Sequence, residues 1–332
     1  MNQKIKTVIQ YIIMLLLTSG LLWLSLRSLQ VGEGENKAEF IWRAWEKSDK
    51  GYLLLVAVAV ILSHVIRAER WRLVLIPTHN HISLGNSFLS VMVGYLINLV
   101  IPRGGEVSRC YNLYKLENTP VEVSFGTVVV ERIVDVICLF VIIVASFIIE
   151  WDKLEGFIAT LPFATDRGFP LWIVLGGVVL IGVGVTAFFI LRKNEKVKKL
   201  FDGFKEGLLA VFRLEKKGLF IFYSVLIWLL YFFMTYFVVK AFPETSELGF
   251  SAVMTLFAIG AIAMAAPLPG GAGSYHTIVP LGLVMLYHLP KADAIAFVFI
   301  FHGWQTIIFI VFGLISLITS YLLIGWKNRQ IK

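Results

Sequence analysis

The chain has 332 residues, of which 58% are apolar or aromatic and 16% charged, with a mean hydropathy of +0.80. Soluble domains reach only about 45–50% apolar even with glycine counted, and each membrane crossing takes about 20 residues, so a water-soluble globular protein is excluded and no separate soluble catalytic domain fits beside the spans. The net charge of +8 lies between apolar runs, where it sets orientation in a membrane rather than attracting nucleic acid.

At the amino end, Lys4 and Lys6 precede an apolar run at 8–26 with no small-residue cleavage site after it. This predicts an uncleaved first span with its N-terminus inside. Residues 27–50, with five basic and five acidic groups plus Trp42 and Trp45, suit the outer interface. A second span follows at 51–66, and Arg67, Arg70 and Arg72 read as a cytoplasmic link. The run 82–101 ends in Ile101-Pro102-Arg103-Gly104-Gly105, a turn from which 106–117 climbs back. Cys110 and Cys138, the two cysteines, offer neither a disulfide framework nor a cysteine metal site.

Spans at 124–149 and 171–191 lead to the densest basic stretch, 192–218, which is expected in the cytoplasm. Its Val197, Leu200, Phe201, Phe204, Leu208 and Phe212 recur every three to four residues, predicting a helix lying on the inner leaflet. The run 219–240 is a span; 251–266 and 277–288 are separated by Pro267-Leu268-Pro269-Gly270-Gly271-Ala272-Gly273; 294–324 is the last span, and Lys327, Arg329 and Lys332 end inside.

Two cytoplasmic assignments, at residue 72 and residue 192, require an even number of crossings between them. The segment 82–117 must then enter and leave on one side, and the same bookkeeping applies to 251–288. The predicted fold is an all-α polytopic membrane protein with six full transmembrane helices and two re-entrant helical hairpins. Residues 1–150 and 151–332 form the two halves of an inverted repeat. Glycine and proline breaks at matched places in such halves point to a substrate site near the midplane, because irregular backbone at that depth must be buried or line a wet cavity. The plainer alternative is a kinked helix or an ordinary loop at each break.

Ionisable groups inside apolar segments are costly and mark functional paths. Arg103, Glu106 and Arg109 sit at the first break, and Glu131, Arg132 and Asp135 in the following span. Arginine binds phosphate well because its planar fork stays charged and engages two oxygens, so Arg103, Arg109 and Arg132 form a candidate clamp for an anionic head group. Backbone amides at Gly104, Gly105, Gly270, Gly271 and Gly273 are candidate helpers at half-helix starts. Three arginines against three carboxylates could equally neutralise one another as a buried network. Ser274 and His276, with His302, form a neutral polar cluster after the second break. The histidines and the carboxylates Glu131 and Asp135 are all candidate proton carriers. The P-loop pattern, H-E-x-x-H and G-x-S-x-G are not found, and no cofactor or metal is expected.

Gly94-Tyr95-Leu96-Ile97-Asn98, followed by Pro102-Arg103-Gly104-Gly105-Glu106 and Arg109, resembles the G-Y-x-x-N…P-x-x-x-G-E-x-x-R signature of the lysylphosphatidylglycerol synthase transmembrane-region family, with one residue fewer between the proline and Gly105. Glu131-Arg132-Ile133-Val134-Asp135 is similar to its E-R-x-x-D element, and Pro267 to Gly273 to its P-x-P-G-G-x-G turn. The resemblance implies an inner-membrane protein whose relatives translocate lipids, sometimes fused to a soluble aminoacyl-transferase domain. The chain ends at Lys332, shortly after its last span, so synthesis of an aminoacylated lipid is not expected. His276 stands where many members carry an acidic residue.

The function expected is a lipid flippase or transporter moving a phosphate-headed amphiphile, with an anionic or zwitterionic head, across the inner membrane. Its partners are membrane lipids and, optionally, a lipid-modifying enzyme. The alternatives are a membrane-embedded transferase with Glu131 or Asp135 as general base, and a non-catalytic scaffold.

Overall fold

The computed structural model describes residues 16, 19–20, 22–27, 29, 36–151, 155, 195–266 and 268–330. The predicted span at 171–191 lies outside the described residues, as does most of that at 8–26 and the residue Pro267.

Helix α1 (Lys37–Lys47) begins where the Asn36 side chain accepts from the Ala38 amide at 3.0 Å. Asp49 Oδ1 accepts from the amides of Gly51 and Tyr52 and starts α2 (Lys50–Leu75). This side-chain capping replaces bonds that the first helical turn cannot make internally. The predicted span ended at residue 66, where the apolar run stops, but α2 carries on for nine residues more. Arg67 and Arg70 are 2% and 0% exposed inside it, so they are not a solvent-facing link. Carboxylates on another helix meet both guanidinium groups, which lets polar residues remain in a buried helix.

Helices α3 (Leu84–Asn98) and α4 (Gly104–Glu117) pack as a hairpin. Gly94 and Gly105 allow the close approach: a Cβ on Gly105 would stand 2.1 Å from the Gly94 carbonyl oxygen. Asn98 Oδ1 accepts from the Gly105 amide at 2.7 Å, tying the turn to the helix before it, while Arg103 adopts a left-handed conformation with φ 60°. Pro120 then leads into α5 (Val121–Ile149).

Helix α6 (Glu195–Leu209) occupies the place of the predicted inner-leaflet helix, and it packs against the start of α5. Gly203 and Gly207 form a small-xxx-small stripe, and a Cβ on Gly207 would stand 2.0 Å from the Val123 carbonyl oxygen. Small residues of this kind let two backbones approach where a larger side chain would hold them apart. The Phe204 and Phe125 rings, 6.3 Å apart, flank the contact.

Helix α7 (Lys217–Ala241) runs along α2. The second hairpin pairs α8 (Phe250–Ala265) with α9 (Ser274–Tyr287), and α10 (Lys291–Gln330) follows. Its turn depends on glycine, with φ values of 58°, 71° and 91° at Gly270, Gly271 and Gly273.

Helices α2, α5, α7 and α10 are long and apolar enough to cross a membrane. The hairpin helices have 14 to 16 residues, about 21–24 Å at 1.5 Å per residue, short of a hydrocarbon core of about 30 Å. The chain is therefore an all-helical multi-pass membrane protein, and among the described residues it has no strand. The order long, short, short, long occurs twice, each time after an amphipathic helix. Contacts follow the same pattern: α3 packs on α10, and α8 packs on α5. The largest core joins α2, α7, α8, α9 and α10 through residues such as Val56, Val238, Val253, Leu283 and Val298.

Candidate functional site

The site begins with a polar stripe on α2. Ser63, Arg67 and Arg70 fall four and three residues apart, with His64 beside them, so on a helix they share one side. Opposite lies α5, whose Glu131 and Asp135 are four apart and also share a face. Arg67 Nη1 donates to Asp135 Oδ2 at 3.0 Å and Arg67 Nη2 to the Tyr231 hydroxyl at 2.9 Å. Arg70 reaches both carboxylates, donating to Glu131 Oε1 at 3.2 Å and to Asp135 Oδ1 at 3.1 Å, and its third bond goes to Ser224 on α7. Arg109 of α4 donates to Glu131 Oε2 at 2.6 Å, with its guanidinium 4.7 Å from the Trp71 ring centroid. Arg132 lies 3.6 Å from Asp135.

Beside this network the two hairpin turns touch. Arg103 Nη2 donates to the Ala265 carbonyl at 3.0 Å, and the Leu99 side chain packs over Gly270, where a Cβ would come within 3.1 Å of it. Between the turns, residues of α2, α5, α7 and α10 line an open cavity of about 480 Å³. Arg67, Arg103, Arg132, Glu106 and Asp135 supply its charged lining, and Tyr95, Trp228, Tyr231 and Phe309 much of its aromatic wall. His64 also lines it, 2% exposed, with its ring 4.1 Å from that of Tyr95 and 5.5 Å from that of Phe309.

The site residues expected from sequence divide into two groups. Arg103, Glu106, Arg132, Asp135, Gly270 and Gly271 line the cavity. Arg109 and Glu131 stand behind it in the ion-pair network, and Gly104, Gly105, Gly273, Ser274 and His276 build the turns and the helix starts. The amides of Gly104, Gly105 and Gly271 donate to Ile101 O, Asn98 Oδ1 and Leu268 O. They are therefore engaged within the turns and do not form the open anion cradle expected of them. Ser274 Oγ donates to the Ala263 carbonyl at 2.7 Å, and the His276 ring stands 4.8 Å from that of His302, whose Nε2 lies 3.0 Å from the Gly270 oxygen.

Arg67, Arg70, His64, Trp228 and Tyr231 are additions that the sequence reading missed. The polar stripe at 63, 67 and 70 continues the helical frame of the span before it, and that spacing is the signal that could have found the two arginines. They change the charge balance. The three arginines and three carboxylates expected to cancel become five arginines against Glu106, Glu131 and Asp135, an excess of two positive charges in and directly behind the cavity.

Long apolar helices around a largely apolar, open cavity with a charged, arginine-bearing wall between two helical hairpins define a class, a polytopic membrane protein with an amphiphilic site. Residues 11–313 match the lysylphosphatidylglycerol synthase TM region, and the chain belongs to that family. It is similar to a UPF0104 membrane protein of Methanocaldococcus jannaschii, 37% identical over 110 residues that cover 32% of each chain. A UPF0104 membrane protein of Methanothermobacter thermautotrophicus is 25% identical over 187 residues, 54% of this chain and 52% of that one. The matched segments thus span about a third and about half of those relatives' lengths. No solved structure matches.

Proposed function

We propose that the protein moves a phosphate-headed amphiphile, a phospholipid or lipid carrier with an anionic or zwitterionic head, across the inner membrane without changing it covalently. The observation that carries this reading is the cavity of about 480 Å³ between the hairpin turns, lined by three arginines and an aromatic wall within helices apolar enough to span a bilayer. Arginine forks replace part of the hydration that a phosphate loses on leaving water, while the tails remain in the hydrocarbon. The topology proposed is six spans and two re-entrant hairpins in inverted halves, with both termini in the cytoplasm. The doubled order of long and short helices supports it. Transport then consists of exposing the cavity to each side in turn, by movement of one half against the other.

Purified protein in liposomes tests the proposal through the rate at which a labelled phospholipid becomes reachable by an impermeant quencher. Acceleration by the wild-type chain, slowed by Arg103→Ala or Arg132→Ala, is the expected result. A covalently altered lipid would favour the transferase reading, with Glu131 or Asp135 as the general base. A folded chain that neither moves nor alters lipid would leave the scaffold reading.

A further inference from the structure

Each hairpin is fastened, away from its turn, to the last long helix of the other half. Asn112 Nδ2 of α4 donates to Ser90 Oγ of α3 and to Ser320 Oγ of α10, both at 3.1 Å, and Lys327 Nζ of α10 donates to the Leu116 carbonyl at 3.2 Å. In the second hairpin, Glu150 at the end of α5 accepts from Thr255 Oγ1 of α8 at 2.9 Å and from the Tyr287 hydroxyl of α9 at 2.6 Å. Ser146 Oγ of α5 lies 3.3 Å from the Met254 carbonyl of α8. Ser320 and Glu150 stand equally far along their helices, counted from Lys291 and Val121, and Ser316 and Ser146 match one turn earlier. All four are buried. Hydrogen bonds between helices persist where neither water nor lipid offers a replacement, so each polar knot joins a hairpin and a long helix into one body.

The turns are joined more lightly, by the hydrogen bond from the exposed Arg103 to Ala265 and by Leu99 against Gly270. Helix α10 serves both hairpins. Before residue 303 it packs with the second: Ala294, Phe297 and Val298 share a core with Val279 and Leu283 of α9, and His302 Nε2 meets the Gly270 oxygen. Beyond it, α10 packs with the first: the Phe309 ring lies 5.1 Å from that of Tyr95, and a Cβ on Gly313 would stand 2.7 Å from the Leu96 side chain.

Gly303 lies at the changeover. Beyond its own helix backbone, no described atom stands within 4 Å of a Cβ placed there, so packing does not require glycine. Glycine is also the residue that least restrains a helix from bending. Thr306 Oγ1 donates back to the His302 carbonyl at 2.8 Å, a bond of the kind that bends helices. Trp304 Nε1 donates to the Leu53 carbonyl at 3.0 Å, which fixes this point against α2 while both ends of α10 remain attached to hairpins.

We propose that α10 is a lever hinged at Gly303, through which the two hairpins move against each other while both polar knots stay closed. Bending there parts the turns, where the ties are weakest. The inference rests on the reading above in taking the two halves to move; each half then carries with it the end of the other's last helix.

The test uses the full chain in liposomes, with Cys110 and Cys138 replaced by alanine and spin labels on paired cysteines at exposed positions. Val107→Cys with Ile262→Cys measures one hairpin against the other, and Val107→Cys with Tyr321→Cys spans the first knot. The hairpin pair is expected to show two distance populations that merge into one in Gly303→Ala and persist in Gly325→Ala, a second site in α10 with open space around its Cβ. The knot pair is expected to show one distance throughout. Lipid movement should slow about tenfold in Gly303→Ala and stay unchanged in Gly325→Ala. A single hairpin distance without either substitution, two distances across the knot, or wild-type populations or lipid movement in Gly303→Ala would each overturn the inference. Distances that respond as expected in a chain that moves no lipid would uphold the hinge and overturn transport alone.

Discussion

The Arg67 guanidinium and the Asp135 carboxylate lie 3.0 Å apart, joining two helices across 68 positions of sequence at the wall of the cavity. Arg67 is 2% exposed and the Asp135 side chain 12%, so each depends on the other for its charge to be tolerated. Asp135 also accepts from Arg70, which makes this one carboxylate the meeting point of two buried cations. Removing its charge leaves Arg67 with only the neutral Tyr231 hydroxyl, while Arg70 keeps Glu131 and Ser224.

Asp135→Asn is accordingly expected to cost about 3–5 kcal/mol, the usual penalty for leaving a buried charge without its partner. Thermal unfolding in detergent measures it. An unchanged midpoint would show that water reaches the arginines and that the pair is dispensable.

The hairpin turns offer a contrast between two glycines of α3 and α4. A Cβ on Gly105 would stand 2.1 Å from the Gly94 oxygen, whereas one on Gly85 meets nothing within 4 Å. Gly105→Ala should lower the unfolding temperature and loosen the hairpin; Gly85→Ala should raise stability by about 0.5–1 kcal/mol, since alanine loses less backbone freedom in a helix. Equal effects at the two positions would contradict the packing described.

Arginine at the cavity wall should not be replaceable by lysine for function. The Arg132 side chain is 36% exposed, so Arg132→Lys is expected to fold normally. Its point charge cannot grip two phosphate oxygens at once, and lipid movement in liposomes should fall about tenfold. Wild-type rates in this variant would reduce Arg132 to a general electrostatic role.

Helix α6 should come loose from α5 when their glycine contact is filled. Gly207→Leu places a side chain where even a Cβ would stand 2.0 Å from the Val123 oxygen. Limited proteolysis of the membrane-embedded protein is expected to cut within 195–209 in the variant and to spare the wild type. Equal cleavage would show that α6 rests on the membrane surface, as the amphipathic pattern alone suggested.

Much of the architecture was legible from local chemistry. Apolar runs marked α5, α7 and α10 to within a few residues of their ends, and the Pro102–Gly105 and Pro269–Gly273 segments marked both turns. Glu106, Arg132 and Asp135 stood out because a charge in an apolar segment is costly wherever that segment ends up. These features depend on the residues themselves and their immediate neighbours.

Composition and periodicity thus determined by themselves that the chain is a helical multi-pass membrane protein, where its helices break, and which charges need an explanation. Only the tertiary structure decided which charges meet. The apolar run that stops before Arg67 suggested that α2 leaves the membrane there, and although the spacing of Ser63, Arg67 and Arg70 continues the helical frame, it does not name the groups that meet the two arginines. The two guanidinium groups stay buried because Glu131 and Asp135 approach from a helix more than sixty positions away. The excess of positive charge, the aromatic wall and the contact between the two turns arise in the same way. Each is a property of surfaces brought together by folding, and a one-dimensional pattern records the cost of a buried charge without recording its partner.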